Sequence, residues 1–275
     1  MSCISLVAGV CDFKQLAVRE RGQTMEENII EIENLHFAYA KKHEHKDAMV
    51  LQNISFSAKA GERIGLIGAN GVGKSTLLKF FVGLLEAEDI GKVRLCGLDL
   101  NKKNLRELRK RIGYVFQDSD SQLFMADIYS DVAFAARNCG YSEQEVEQKV
   151  TQALAQVHLE NLAKRQIYRL SGGQKKLAAI AGILTLTPQL VLMDEPSAAL
   201  DPKNRRNLIN ILRSLPCAQL IASHDLDFIY AACDRVILLH DGQIAADGAA
   251  KDVLRNQELL EACNLELPLM FQQAD

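Results

Sequence analysis

The sequence predicts an α/β fold with an antiparallel β subdomain at one edge and a helical insertion. Three patterns lead there. The apolar runs 63–67, 112–116 and 190–193 are short and nearly unbroken, as parallel strands buried on both faces are. The first runs straight into Gly68-Ala69-Asn70-Gly71-Val72-Gly73-Lys74-Ser75-Thr76, a G-x-x-x-x-G-K-S-T loop, and an amphipathic helix follows from Leu77. Between residues near 127 and 167 the period becomes helical, with Val146, Val150, Leu154 and Val157 on one face behind a Ser142-x-x-Glu145 capping box.

In chain order, residues 1–24 include a mildly apolar stretch, 4–10, without the positive charge or cleavage site of a signal peptide. They are expected to be a disordered or non-native extension, with Met25 as the natural start. A main domain then covers 25–256, and 257–275 is a short tail. Residues 29–39 alternate apolar and polar and predict a strand. Residues 40–48 form a charged connection. Its His43-Glu44-His45 reads as a solvated hairpin loop, because two imidazoles and one carboxylate lack a further ligand. Strand 50–58 follows, and 60–62 turn the chain into the loop strand. Residues 92–96 and 97–99 predict a strand and turn on the antiparallel edge, 105–110 a short basic helix, and 112–116 a buried strand ending at Gln117.

After the insertion, Leu170-Ser171-Gly172-Gly173-Gln174 opens a helix expected over 175–186. Strand 190–193 ends in Asp194-Glu195. Helix 204–215, strand 218–223 closed by His224, helix 225–232 and strand 235–240 complete the alternation. Asp241-Gly242 is a hairpin turn. A helix over 249–256 and a short helix from 259 end the chain.

The loop's residue types suit a phosphate chain. Gly68, Gly71 and Gly73 let backbone N–H groups converge on one anion, and the following helix adds the positive end of its dipole. Lys74 places a cation on the β- and γ-phosphates, and the Ser75 hydroxyl can ligate Mg²⁺. Composition excludes other classes. A net charge of −3 and a pI of about 6.1 give no basic surplus for nucleic acid. Seven scattered cysteines without a C-x-x-C pair suggest reduced thiols. No apolar stretch is long enough to span a bilayer, so work at a membrane would require partners.

Taken together, six motifs in one order resemble the nucleotide-binding subunit of ATP-binding-cassette (ABC) transporters, from about residue 29 to the C-terminus. The most specific is LSGGQ, 170–174. The resemblance implies a P-loop NTPase fold of the ABC ATPase type, with ATP and Mg²⁺ as ligands. Tyr39 would stack on adenine, and Gly68, Asn70, Gly71, Gly73, Lys74, Ser75 and Thr76 would hold the phosphates. Ser75, Gln117 and Asp194 would hold Mg²⁺, Glu195 would be the general base, and His224 would reach the γ-phosphate, with Gln117 also meeting the attacking water. Ser171, Gly172, Gly173 and Gln174 would bind the γ-phosphate of ATP held by the opposite subunit, and residues 197–201 would lie between the two sites. Two ATPase subunits are therefore implied, as a homodimer or a heterodimer with a paralogue.

The stretch Phe116-Gln117-Asp118-Ser119-Asp120-Ser121-Gln122-Leu123-Phe124 is similar to FQ-x-P-D-x-QLF of energy-coupling-factor importers, including cobalt and nickel ones. Residues 131–134, 178–184 and 265–268 point the same way. That resemblance implies a transmembrane coupling protein, a membrane substrate-capture protein and a position on the cytoplasmic face of the cell membrane. Residues 118–135 would line the groove for the coupling protein's helix. The implied function is MgATP hydrolysis driving uptake of cobalt or nickel ions, with a vitamin importer of the same architecture, and then a soluble ABC ATPase, as alternatives. The sequence departs from the pattern at Ser119, where proline is usual, at Leu177, where arginine is common, and at Ala199, where glycine is usual.

Overall fold

The computed structural model describes residues 28–39, 49–85 and 91–272. The expectations for residues 1–24 and for His43-Glu44-His45 fall outside the described residues.

The expected α/β architecture is present as two sheets. Strands β1 (Asn28–Ala38), β2 (Met49–Lys59), β4 (Lys92–Leu95) and β5 (Leu98–Asp99) form an antiparallel sheet in the order β2-β1-β4-β5. The larger sheet has the order β10-β9-β3-β8-β7-β6. Its members are β3 (Arg63–Ile67), β6 (Ile112–Val115), β7 (Leu190–Asp194), β8 (Ala218–Ala222), β9 (Arg235–His240) and β10 (Gln243–Ala249). All its pairs are parallel except β9 with β10, which the turn at Asp241-Gly242 joins. Both turn residues have positive φ, 47° and 73°, as a two-residue hairpin requires.

Alternation along the strands assigns side chains to two cores. Leu190 and Leu192 of β7 face α1 (Lys74–Phe81) and the antiparallel sheet; Val191 and Met193 face the helical layer. The helices are α2 (Leu105–Arg111), α3 (Ile128–Asn138), α4 (Glu143–Gln156), α5 (Gly172–Leu184), α6 (Pro202–Ser214), α7 (Leu226–Ala232), α8 (Ala250–Val253) and α9 (Gln257–Ala262). The helical insertion expected over 127–167 contains α3 and α4, and both pack against α5. The predicted capping box at Ser142 and Glu145 is formed, and Val146, Val150 and Leu154 are buried.

Several helix ends differ from expectation, each for a local reason. α5 starts three residues early because Ser171 and Gln174 make a second capping box, which outweighs the poor helix propensity of Gly172 and Gly173. α6 starts at Pro202, behind an Asp201 cap that accepts from Lys203 N and Asn204 N. α8 is shorter than 249–256, because Asn256 instead caps α9.

Candidate functional site

Four neighbouring parallel strands, β3, β8, β7 and β6, deliver the candidate residues from their carboxyl ends. These are the phosphate loop, Ser223-His224, Asp194-Glu195 and Gln117 respectively. This edge is where open α/β sheets bind ligands.

The loop is held by its glycines. Gly68 has φ 146°, and a Cβ there would lie 2.4 Å from the Leu239 carbonyl oxygen. Gly73 has φ 110°, and its Cβ would lie 2.7 Å from a Leu51 methyl. No side chain caps α1, so its first-turn N–H groups remain for an anion. The Lys74 ammonium bends back and donates to the carbonyl oxygens of Gly68 (2.7 Å) and Ala69 (3.1 Å). Burial pushes its pKa down, against the raising influence of Glu195 and Asp194. An anionic phosphate is a stronger acceptor than those carbonyls. Asn70 is exposed at the loop's crest, while Thr76 is buried. Thr76 Oγ1 lies 3.1 Å from the Tyr39 hydroxyl, so the ring expected at the adenine is tied to the loop. Tyr39 is 47% exposed and meets Phe37 edge-on at 5.0 Å.

Ser75 Oγ donates to Asp194 Oδ1 at 2.8 Å, joining two of the expected metal ligands across the sheet edge. Burial raises the Asp194 pKa, and the Ser75 hydrogen bond and Lys79 work against that rise. Next to it, the Tyr114 hydroxyl is buried and faces Asp194, with no partner at hydrogen-bond distance among the described residues. A buried carboxylate and a serine hydroxyl form an all-oxygen pair that suits a hard divalent cation completed by phosphate and water. The residues present therefore fit Mg²⁺.

Glu195 is buried at φ 46°, a left-handed conformation that is costly for a side chain of this size. Its carboxylate accepts from Ser223 Oγ (2.9 Å) and His224 N (3.1 Å), and His224 Nδ1 lies 2.9 Å from it. The His224 side chain is largely exposed. The arrangement holds a carboxylate by fixed donors beside the phosphate loop and gives it a protonatable neighbour. Sequence reasoning missed Ser223. Its only signal was a hydroxyl next to His224 at the end of a buried strand.

The remaining candidates make no hydrogen bond to these groups among the described residues. Gln117 is exposed, and its side chain makes no hydrogen bond to the described residues. Ser171 and Gly172 are exposed at the start of α5, while the Gln174 side chain accepts from Ser171 N at 3.0 Å. None of 171–174 bonds to the chain's own phosphate loop among the described residues. Sequence reasoning also missed Lys176, a buried lysine that donates to the carbonyl oxygens of Phe116 and Gln117. Beyond Gln117 lies a cleft of about 250 Å³, whose wall includes Gln122, Phe124, Asp131 and Phe134. Phe124, 63% exposed, stands edge-on to Phe134 at 4.7 Å.

A phosphate loop, an acidic pair two strands away and a strand-end histidine between them define a P-loop ATPase. The chain belongs to the ABC transporter family, whose model matches residues 51–198. It is an ATP-binding protein of that family, an ATPase coupled to transport. It is 42% identical to a provisionally named ABC transporter ATP-binding protein of Geobacter sulfurreducens, over 90% of this chain and 97% of that one. It is also 42% identical to the energy-coupling factor transporter ATP-binding protein EcfA1 of Ligilactobacillus salivarius, over 90% of this chain and 86% of that one. Among solved structures it is similar to cbiO1 from Clostridium perfringens, part of the ABC transporter complex cbiONQ. That match has a TM-score of 0.77 and 34% identity and covers 90% of this chain and 98% of the other. No helix among the described residues is long and apolar enough to cross a membrane.

Proposed function

We propose that this chain is the ATPase subunit of an energy-coupling-factor-type importer, in which MgATP hydrolysis drives uptake of cobalt or nickel ions. The observation that carries the reading is the convergence of the phosphate loop, His224, Asp194-Glu195 and Gln117 at one edge of four adjacent strands. Backbone N–H groups of 68–76 and Lys74 hold the phosphates, and Tyr39 stacks on the adenine. Ser75, Asp194 and Gln117 hold Mg²⁺, which when bound neutralises charge on the β- and γ-phosphate oxygens.

Glu195 takes a proton from the attacking water as its oxygen bonds to the γ-phosphorus and the bond to the bridging oxygen breaks. Ser223 and His224 fix the carboxylate for that step. Ser171, Gly172, Gly173 and Gln174 serve the γ-phosphate of a second subunit, with the capping box presenting the open start of α5. The cleft beside Phe124 and Phe134 receives a helix of a transmembrane coupling protein, which works with a membrane substrate-capture protein. The ATPase then sits on the cytoplasmic face of the membrane. The similarity to EcfA1 and to cbiO1 supports this subfamily.

Purification of the tagged chain from native membranes, followed by reconstitution of whatever co-purifies into vesicles, tests the reading. ATP-dependent accumulation of Co²⁺ or Ni²⁺ is expected. Uptake of a vitamin instead would reassign the cargo, and the lack of any co-purifying membrane protein would overturn the proposal.

A further inference from the structure

Two neighbouring lysines of α5 reach the loop that follows β6. Lys176 is 3% exposed, yet among the described residues no carboxylate hydrogen-bonds its ammonium. Its acceptors are the carbonyl oxygens of Phe116, at 2.9 Å, and Gln117, at 2.8 Å. Burying an ammonium is expensive, and here burial pushes the pKa down to about 8, with Asp118 and Asp194 opposing. A residue needed only to fill this space would be apolar. Lys175, on the outer side of the same turn, pairs with Asp120.

The loop explains what the ammonium supplies. Val115 is the last residue of β6 to pair with β7, and beyond it each backbone group needs a new partner. Phe116 N donates to Gln122 Oε1 (3.0 Å), and Gln122 Nε2 donates to the Tyr114 carbonyl (3.2 Å). Asp118 accepts from Asp120 N and Ser121 Oγ. The carbonyls of Phe116 and Gln117 remain, and Lys176 takes both.

We propose that Lys176 is a positioning residue for Gln117. Its clamp on the Phe116 and Gln117 carbonyls makes the backbone beneath the Gln117 side chain a rigid extension of α5, the helix capped by Ser171. The inference rests on the proposed role of Gln117 at the metal–nucleotide. Gln117 and the Ser171–Gly173 anion site then move as one body, and a helix docked against Phe124 and Phe134 displaces both together. The Lys175–Asp120 pair lies at the surface and adds little to this clamp.

The test uses the purified full chain with MgATP. Lys176→Met keeps the length and removes the donors; Lys176→Arg keeps charge and donors. The methionine variant is expected to lose kcat about tenfold with KM for ATP within about twofold, and arginine to restore about half or more of the rate. Amide exchange should accelerate in 116–124 and stay unchanged in 143–156. Gln117→Ala, measured alongside, separates the two failures. If it leaves kcat intact, the role of Gln117 is wrong and the clamp has nothing to position. If it slows turnover while Lys176→Met does not, the clamp alone is wrong. A Lys176→Met variant whose loss comes with uniformly faster exchange and no rescue by arginine makes Lys176 a packing residue and overturns the proposal. Should methionine prevent folding, the same measurements on Lys176→Leu, which also lacks a donor, decide.

Discussion

Glu195, the proposed base, is held in place at a conformational cost. Its φ of 46° turns the carboxylate back onto Ser223 and His224, and those donors hold it beside the phosphate loop. Glu195→Gln keeps the shape and removes the basicity. Its kcat should fall about 10²- to 10⁴-fold, read by phosphate release, with ATP affinity within about threefold. Full turnover would place the base elsewhere. Ala199 shows the same backbone demand without the chemistry. It has φ 59°, in the region glycine enters freely, which accounts for glycine being usual there. Relief of that strain outweighs the entropy glycine adds to the unfolded chain, so Ala199→Gly should stabilise by about 0.5–1 kcal/mol and raise Tm by about 2 °C. A lower Tm in a thermal melt would refute it. Tyr114 is the third case. Its buried hydroxyl faces Asp194 but has no partner at hydrogen-bond distance among the described residues, so Tyr114→Phe should cost less than about 0.5 kcal/mol in urea unfolding of the metal-free protein. A loss above about 1 kcal/mol would mean that the hydroxyl is satisfied after all.

At the scale of elements, the loop between β6 and α3 is ordered mainly by side chains that reach back to its backbone. Asp131, in the first turn of α3, accepts from Phe124 N (2.8 Å) and Met125 N (2.9 Å) and is itself buried. Asp131→Ala orphans both N–H groups. A loss of about 2–3 kcal/mol is expected, with faster amide exchange at 124 and 125. Unchanged stability would show that water replaces the carboxylate. This loop also marks the limit of what the sequence reveals. The phosphate loop was legible because its residue types suit one anion, and helix α4 because its capping box and 3.6-residue period survive without knowledge of neighbours. The strand ends at Asp194 and His224 were legible for a similar reason, since an uninterrupted apolar run leaves its closing polar residue conspicuous. Lys176 was not legible. Within Lys175-Lys176 it reads as a solvated face, and only the meeting of α5 with the end of β6 buries it. Ser223 and Tyr114 matter through contacts with residues far away in sequence, which no local pattern encodes. α5 begins at Gly172, before the expected 175, because Ser171 and Gln174 of the same five residues form a capping box.

On the scale of the whole molecule, the phosphate loop and Ser171–Gly173 lie on different elements, one at the end of the β3 strand and the other at the start of α5. Each is proposed as half of an anion site, and among the described residues no hydrogen bond links them. Gly172 has open space where a Cβ would stand, so its surface is available to another molecule. If each nucleotide is shared head to tail between two chains, a dimer has two sites, each using one chain's loop and the other chain's α5 start. Lys74→Ala removes the loop half and should abolish ATP binding at that loop. Ser171→Arg blocks the other half without touching the loop. Neither variant alone should hydrolyse ATP. In a mixed dimer, one site then combines both defects, while the other pairs an intact loop with an intact α5 start. Equal mixing of variants that pair freely should therefore restore about a quarter of the wild-type rate, since about half the dimers are mixed and one of their two sites works. A chain that completed its own site internally would show no recovery at any mixing ratio. Phosphate release measured across a titration of one variant into the other distinguishes the two, and a flat line, with wild-type chain active in the same buffer, would rule out sharing of the site between subunits.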